Sequence, residues 1–192
     1  VYWMGESGGF FVYDGTVKSL PCEVEDFVFT TKNGDNLGVN YQNGESVYAG
    51  LNHLYEEICW YYPKAGSSFN DRYVCFNYQD GTWVTGSLSR TTWVDANLYD
   101  VPYATEYNST GTPSFPTIQG VTNINGSTIY YAHETGVDQV DSAGAKTAIP
   151  AFIESGDFSL NIEGNAQVFM SMRRFVPDFK TIQGNAQVTI LL

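Results

Sequence analysis

Apolar and polar positions alternate with a period of two along most of this chain, and turn dipeptides interrupt the alternation at short intervals. The runs "GFFVYDG", "EDFVFTT", "ICWYYP", "RYVCFNY", "TWVTGSL" and "STIYYAHE" are mostly four to seven residues long, the size of strands in small sheets. Between and beside them lie Asp14-Gly15, Asn33-Gly34, Asn43-Gly44, Asp80-Gly81 and Asn125-Gly126. Asn or Asp followed by Gly tolerates the positive φ that tight hairpin turns need, so the pattern predicts antiparallel hairpins in series. One segment resists the period. In "AGLNHLYEEICWYYP", Leu51, Leu54, Tyr55 and Ile58 fall at helical spacing, and the reading is a turn or short helical turn feeding a strand that Pro63 stops.

Three stretches share one logic: 8–20, 71–88 and 126–140 each run from an apolar-aromatic strand through a polar turn into a second strand. They begin roughly 55 to 63 residues apart, near the length of a four-stranded propeller blade. The fold class expected is all-β, with antiparallel hairpins forming blades of a β-propeller over residues 1–145 and antiparallel β strands over 146–192. In that second segment "GNAQV" occurs at 164–168 and again at 184–188, which predicts two similar strands, with Pro177-Asp178 as a loop between them. Two or three blades do not close a ring, and "VYWMGESGG" opens the chain like the middle of a strand, so a piece of a longer polypeptide is expected.

Composition agrees with the β reading: 14 Tyr, 12 Phe and 19 Gly accompany a charged fraction of only 16%, against about a quarter in ordinary domains. The formal net charge is −12, from 21 acidic and 9 basic residues, and the one adjacent basic pair is Arg173-Arg174. Such a balance disfavours nucleic-acid binding, which needs clustered cations against phosphate. Three cysteines without regular spacing predict neither a disulfide framework nor a zinc site, and Cys59 and Cys75 read as small buried hydrophobes. No signal peptide or membrane-spanning stretch is recognised. The triplets Asn108-Ser109-Thr110 and Asn125-Gly126-Ser127 match the glycosylation pattern, arise readily by chance, and are read as loop residues.

Candidate chemistry is sparse. Asp80-Gly81 with Trp83 lacks the spacing of the Asp box of propeller glycosidases and is closer to a kelch-type hairpin, in which Trp83 packs between blades. Glu56, Glu57, Asp95, Asp100, Glu134, Asp138 and Asp141 are candidate acids, but no spacing selects a glycosidase pair. His133-Glu134 is not followed by a second zinc-ligand histidine, since position 137 is Val, and a loop or strand-end histidine is expected; His53 lies far away in sequence. Asp138, Asp141 and Gly144 are too sparse for a calcium loop. No catalytic, cofactor-binding or metal-binding residue is therefore assigned, and no cofactor is expected.

The segments "YWMGESGGFFVYDGTVKSLPCEVEDFVF" (2–29), "EEICWYYPKAGSSFNDRYVCFNYQDGTWVTGSLSRTTWVD" (56–95) and "IYYAHETGVD" (129–138), with the closing "FVPDF", resemble tail nozzle or tail hub proteins of short-tailed bacteriophages. The likeness covers most of the chain except 97–125, and its motifs are structural and aromatic. It implies a non-enzymatic virion component: a homo-oligomeric ring, six copies suspected, that joins other tail and connector proteins around a channel. DNA would pass through that lumen without specific binding, past an acidic wall. It also implies that Arg72 and Arg90 pair with carboxylates between blades or subunits, against the plainer reading of ordinary salt bridges. The competing class is a carbohydrate-binding or glycan-degrading β-propeller protein, for which Trp60-Tyr61-Tyr62 is the suggestive stretch, although alternation predicts that at least one of the three faces the core.

Overall fold

A computed structural model describes residues 1–30, 37–97, 99–108, 127–136, 138–140, 145–149, 151–155, 174, 176 and 186–190. The chain divides into two units, Val1–Pro150 and Ala151–Leu192. The first is built mainly of antiparallel β-structure in three meanders and a hairpin. Strands β1 (Tyr2–Met4), β2 (Phe10–Tyr13) and β3 (Val17–Leu20) form the first sheet. Strands β4 (Tyr48–Asn52), β5 (Glu57–Tyr62), β6 (Arg72–Asn77) and β7 (Trp83–Gly86) form the second. Strands β8 (Thr92–Val94), β9 (Tyr103–Asn108) and β10 (Ser127–Ala132) form the third, while β11 (Asp138–Val140) pairs with β12 (Lys146–Ala148). Among the described residues these sheets do not close into a ring. In the second unit the described stretches 151–155 and 186–190 carry no regular element.

The second sheet is covered on both faces, which explains why β5 reads as an unbroken apolar run. On one face Ile58, Trp60, Tyr62, Val74 and Phe76 meet Phe10 and Val28. Trp83 closes this layer: its ring centroid lies 4.7 Å from Phe10 and 4.6 Å from Phe76, and its Nε1 donates to the Pro21 carbonyl at 2.9 Å. The indole thus packs between sheets, as the hairpin pattern predicts. On the other face Cys59, Tyr61 and Cys75 meet Trp93 and Ala104 of the third sheet. Trp93 stacks on Tyr61 at 6.0 Å and donates from Nε1 to the Leu51 carbonyl at 2.8 Å. Gly50 permits this approach, because a Cβ there would lie 2.6 Å from Trp93 Cγ.

Several expectations need correction. Cys59 and Cys75 are buried but bonded to each other, directly opposite across β5 and β6 with their Cα atoms 4.0 Å apart. Spacing along the chain could not reveal this, because strand register brings the two together. "EDFVFTT" contributes a short helix, α1 (Glu25–Phe29), rather than a strand. Val24 and Val28 stand one helical turn apart and both pack on the core while Phe27 is exposed, so tertiary contact overrides β-propensity. Asn43-Gly44 sits inside a 3₁₀ segment, Tyr41–Ser46, where the Asn40 side chain accepts from the Gln42 amide and caps its start.

Asp14-Gly15 does turn a hairpin, with Gly15 at φ 117°. The Asp80-Gly81 connection is longer than a two-residue turn. Asn77 Oδ1 accepts from the amides of Gln79 and Asp80, and Gly81 alone takes positive φ. The stretch 126–140 is not a hairpin, since β10 pairs back to β9 and β11 pairs forward to β12. The segment 53–56 is the expected turn, with Leu54 and Tyr55 exposed and Glu56 at φ 58°, but Leu51 already belongs to β4. Asn108 ends β9 rather than lying in a loop. Asn33-Gly34, Asn125-Gly126 and the strand pair expected from the two "GNAQV" stretches lie largely or wholly outside the described residues.

Replacing the indole in Trp83→Ala is expected to cost about 3 kcal/mol, read from chemical denaturation of the oxidised protein. Reducing the Cys59–Cys75 bond, which closes a loop of 16 residues, should remove about 3 kcal/mol; equal midpoints with and without reductant would show that the bond contributes nothing.

Candidate functional site

The concentration of chemistry-bearing side chains lies between the second and third sheets. Alternation along β9 and β10 aims Ala104, Glu106, Ile129 and Tyr131 inward, and each is nearly or fully buried. Arg90, just ahead of β8, reaches into the same layer and is only 2% exposed. His133 follows β10 and is held there by its amide, which donates to the Pro102 carbonyl at 2.8 Å.

The cluster is well connected. Arg90 Nε donates to His133 Nε2 at 2.9 Å, Nη1 lies 3.7 Å from Glu106 Oε2, and the guanidinium sits 4.1 Å over the Tyr131 ring. The Tyr131 hydroxyl donates to Glu106 Oε2 at 2.7 Å. Nη1 also donates to the Ser89 carbonyl. Asn70 Nδ2 donates to the carbonyls of Ser46 and Arg90, and Ser89 Oγ donates to the Asn70 carbonyl, so the loop carrying Arg90 is tied to the second sheet's connections. A charge this deeply buried is tolerated only with partners of opposite sign or strong acceptors, and this one has both.

Electrostatics define what these groups can do. Burial lowers the Arg90 pKa below its ordinary value, with Tyr131, Glu106 and Tyr61 opposing that drift. Burial, and secondarily the Arg90 charge, pushes His133 down to about 3. The imidazole is therefore neutral at physiological pH, and since Nε2 accepts from Arg90, its proton resides on Nδ1. The lone pair a general base would use is already engaged by Arg90.

The other candidates are placed separately. His53 Nδ1 lies 2.8 Å from Asp95 Oδ2, an ion pair or hydrogen bond that ties the β4–β5 turn to the end of β8. Glu134 Oε1 accepts from Asn52 Nδ2 at 3.2 Å, and the half-buried Glu57 has a raised pKa, from burial first and the Glu134 charge second. Glu56 sits at the turn, Asp100 is exposed, Asp138 is in β11, and Asp141 lies outside the described residues. Neither histidine hydrogen-bonds a hydroxyl or thiol among the described residues. Glu57, Cys59 and Cys75 stand close enough to bracket a metal ion, but both sulfurs are spent in the disulfide and cannot act as thiolate ligands. Burial raises the thiol of the remaining cysteine, Cys22, to about 11, so it is protonated and unreactive.

Trp60, Tyr61 and Tyr62 are all buried, which removes them as a sugar platform. Arg72 reaches the hydroxyls of Ser87 and Thr85, whereas Arg90 pairs with a carboxylate inside one chain. Glu106 and Tyr131 were not legible as site residues. In "YATEYN" the charged residue points inward and the tyrosines outward, which inverts the usual reading of alternation. Among the described residues, no helix is long and apolar enough to cross a membrane. Comparison with family models, curated proteins and solved structures finds no match to this chain.

The His133 pKa is lower in the folded chain than in the unfolded one. Its contribution to stability is therefore complete above pH 6.5 and is lost as pH falls toward about 3. The expected slope reaches about 1.4 kcal/mol per pH unit within that window. His133→Gln, which keeps an acceptor for Arg90, should remove this component of the slope; denaturation midpoints measured from pH 7 to pH 4 check it.

Proposed function

We propose that this chain is a structural component of a bacteriophage tail, a nozzle or hub subunit that forms a ring around the DNA ejection channel with other tail and connector proteins. The observation that supports this reading is the stacking of three antiparallel meanders, face to face and in chain order, with aromatic side chains sealing both junctions. Neighbouring blades of a propeller pack in this way, and the four-stranded meander β4–β5–β6–β7 has the size and order of one blade. Wall-building also accounts for the use of the buried charges, which tie the strands of the third sheet to the segments that flank them. The net charge of −12 suits a lumen past which a polyanion must slide without phosphate contacts.

The test is the native mass and negative-stain image of the full-length gene product, alone and mixed with the portal and connector proteins of a short-tailed phage. The expected result is a ring of several copies, six on this reading, with a central hole. A monomer that neither closes a ring nor adds to the connector overturns the proposal.

A further inference from the structure

The third sheet has a second face, opposite the Arg90 cluster, and it carries a groove of about 390 Å³. Alternation places Thr92 and Val94 of β8, Tyr103 and Thr105 of β9 and Tyr130 of β10 on this face, and Tyr99 completes the wall from the β8–β9 connection. Tyr130 is 59% exposed and Tyr99 50%, unlike the tyrosines of β5. Tyr99 meets Tyr103 edge to face at 5.2 Å, which fixes the direction of both rings.

We propose that this groove binds a neutral oligosaccharide. A pyranose ring has an apolar C–H face and a rim of hydroxyls, and the lining offers a counterpart to each. The Tyr103 and Tyr130 rings, carried on adjacent strands of a sheet, supply flat apolar surface at little entropic cost. The Thr105 hydroxyl is shared with Thr91 at 2.8 Å and Thr92 at 2.7 Å, giving a chain of hydroxyls that keeps unused lone pairs at its exposed end. Among the described residues no charged side chain lines the groove, so none of them would compensate an anionic ligand, and the chain's net charge of −12 repels one. Among the described residues the lining also holds no carboxylate, and the proposal is of binding without cleavage. The inference does not rest on the ring reading: in stacked blades this is the face that a following blade would cover, so glycan binding and blade packing are competing uses of it.

The experiment is saturation-transfer NMR on the full-length protein with neutral gluco-, galacto- and manno-hexasaccharides, and polygalacturonate as the anionic control. At least one neutral probe is expected to bind, with Tyr130→Ala and Tyr103→Ala each weakening it about tenfold or more and Tyr13→Ala, exposed on β2 of the first sheet, leaving it unchanged. Tyr130 is exposed, so its variant should keep the parent melting curve; Thr105→Val serves as a second probe of the hydroxyl chain should Tyr103→Ala fail to fold. Absence of binding by every neutral probe overturns the proposal, as does binding that survives Tyr130→Ala or binding of the anionic polymer alone. Native mass is read on the same samples. A Tyr130→Ala protein that loses subunits and never bound a glycan would assign the face to subunit packing and overturn the proposal while leaving the ring intact as a reading.

Discussion

The rest of the structure depends on the double burial of the β5–β6 ribbon. Every side chain from Ile58 to Tyr62 is covered, alternately by the first sheet and by the third, so neither neighbouring sheet can leave without exposing half of the strand. The gain outweighs a visible cost. Among the described residues Trp60 Nε1 and the Tyr62 hydroxyl have no hydrogen-bond partner, a loss of about 1–3 kcal/mol each. Burying an aromatic side chain of 150–250 Å² returns about 4–6 kcal/mol, so packing wins at both positions. The Cys59–Cys75 bond lies at the centre of this ribbon and joins its two strands covalently.

The junction between the second and third sheets adds specificity to that packing. Trp93 lies over Gly50 with no room for a methyl group, which fixes how closely the sheets approach. Beside it, Arg90, Glu106, Tyr131 and His133 satisfy one another. A sheet shifted by one residue would strand a guanidinium and a carboxylate in an apolar layer, so buried charge disfavours alternative registers even where its net contribution to stability is small. The same strands that bury Glu106 and Tyr131 turn Tyr103 and Tyr130 outward, so a single alternation builds a sealed junction on one face and an open groove on the other.

The β class, the antiparallel hairpins, the strands at β5, β6 and β10 and the packing of Trp83 were legible in the sequence, because each follows from local rules: a period of two, a turn residue able to take positive φ, and an indole beside an apolar strand. Local rules failed where a local pattern served two purposes. Phe27, Val28 and Phe29 have strand-like propensity, yet contacts with the core drew them into a helical turn. Asn43-Gly44 is as good a hairpin signal as Asp14-Gly15, but the Asn40 side chain captured the adjacent amide and wound the segment into a 3₁₀ turn.

Alternation along a strand determined that two faces exist, and by itself it could not say what covers them. That decision lies in partners distant along the chain: Cys59 with Cys75 across 16 residues, Trp93 with Leu51 across 42, and Arg90 with His133 across 43. Only the tertiary structure made Trp60-Tyr61-Tyr62 core and left Tyr99, Tyr103 and Tyr130 exposed, although both sets are aromatic residues in or beside strands. The physical reason is that hydrophobicity is a property of a residue, whereas burial is a property of the surface that comes to rest against it.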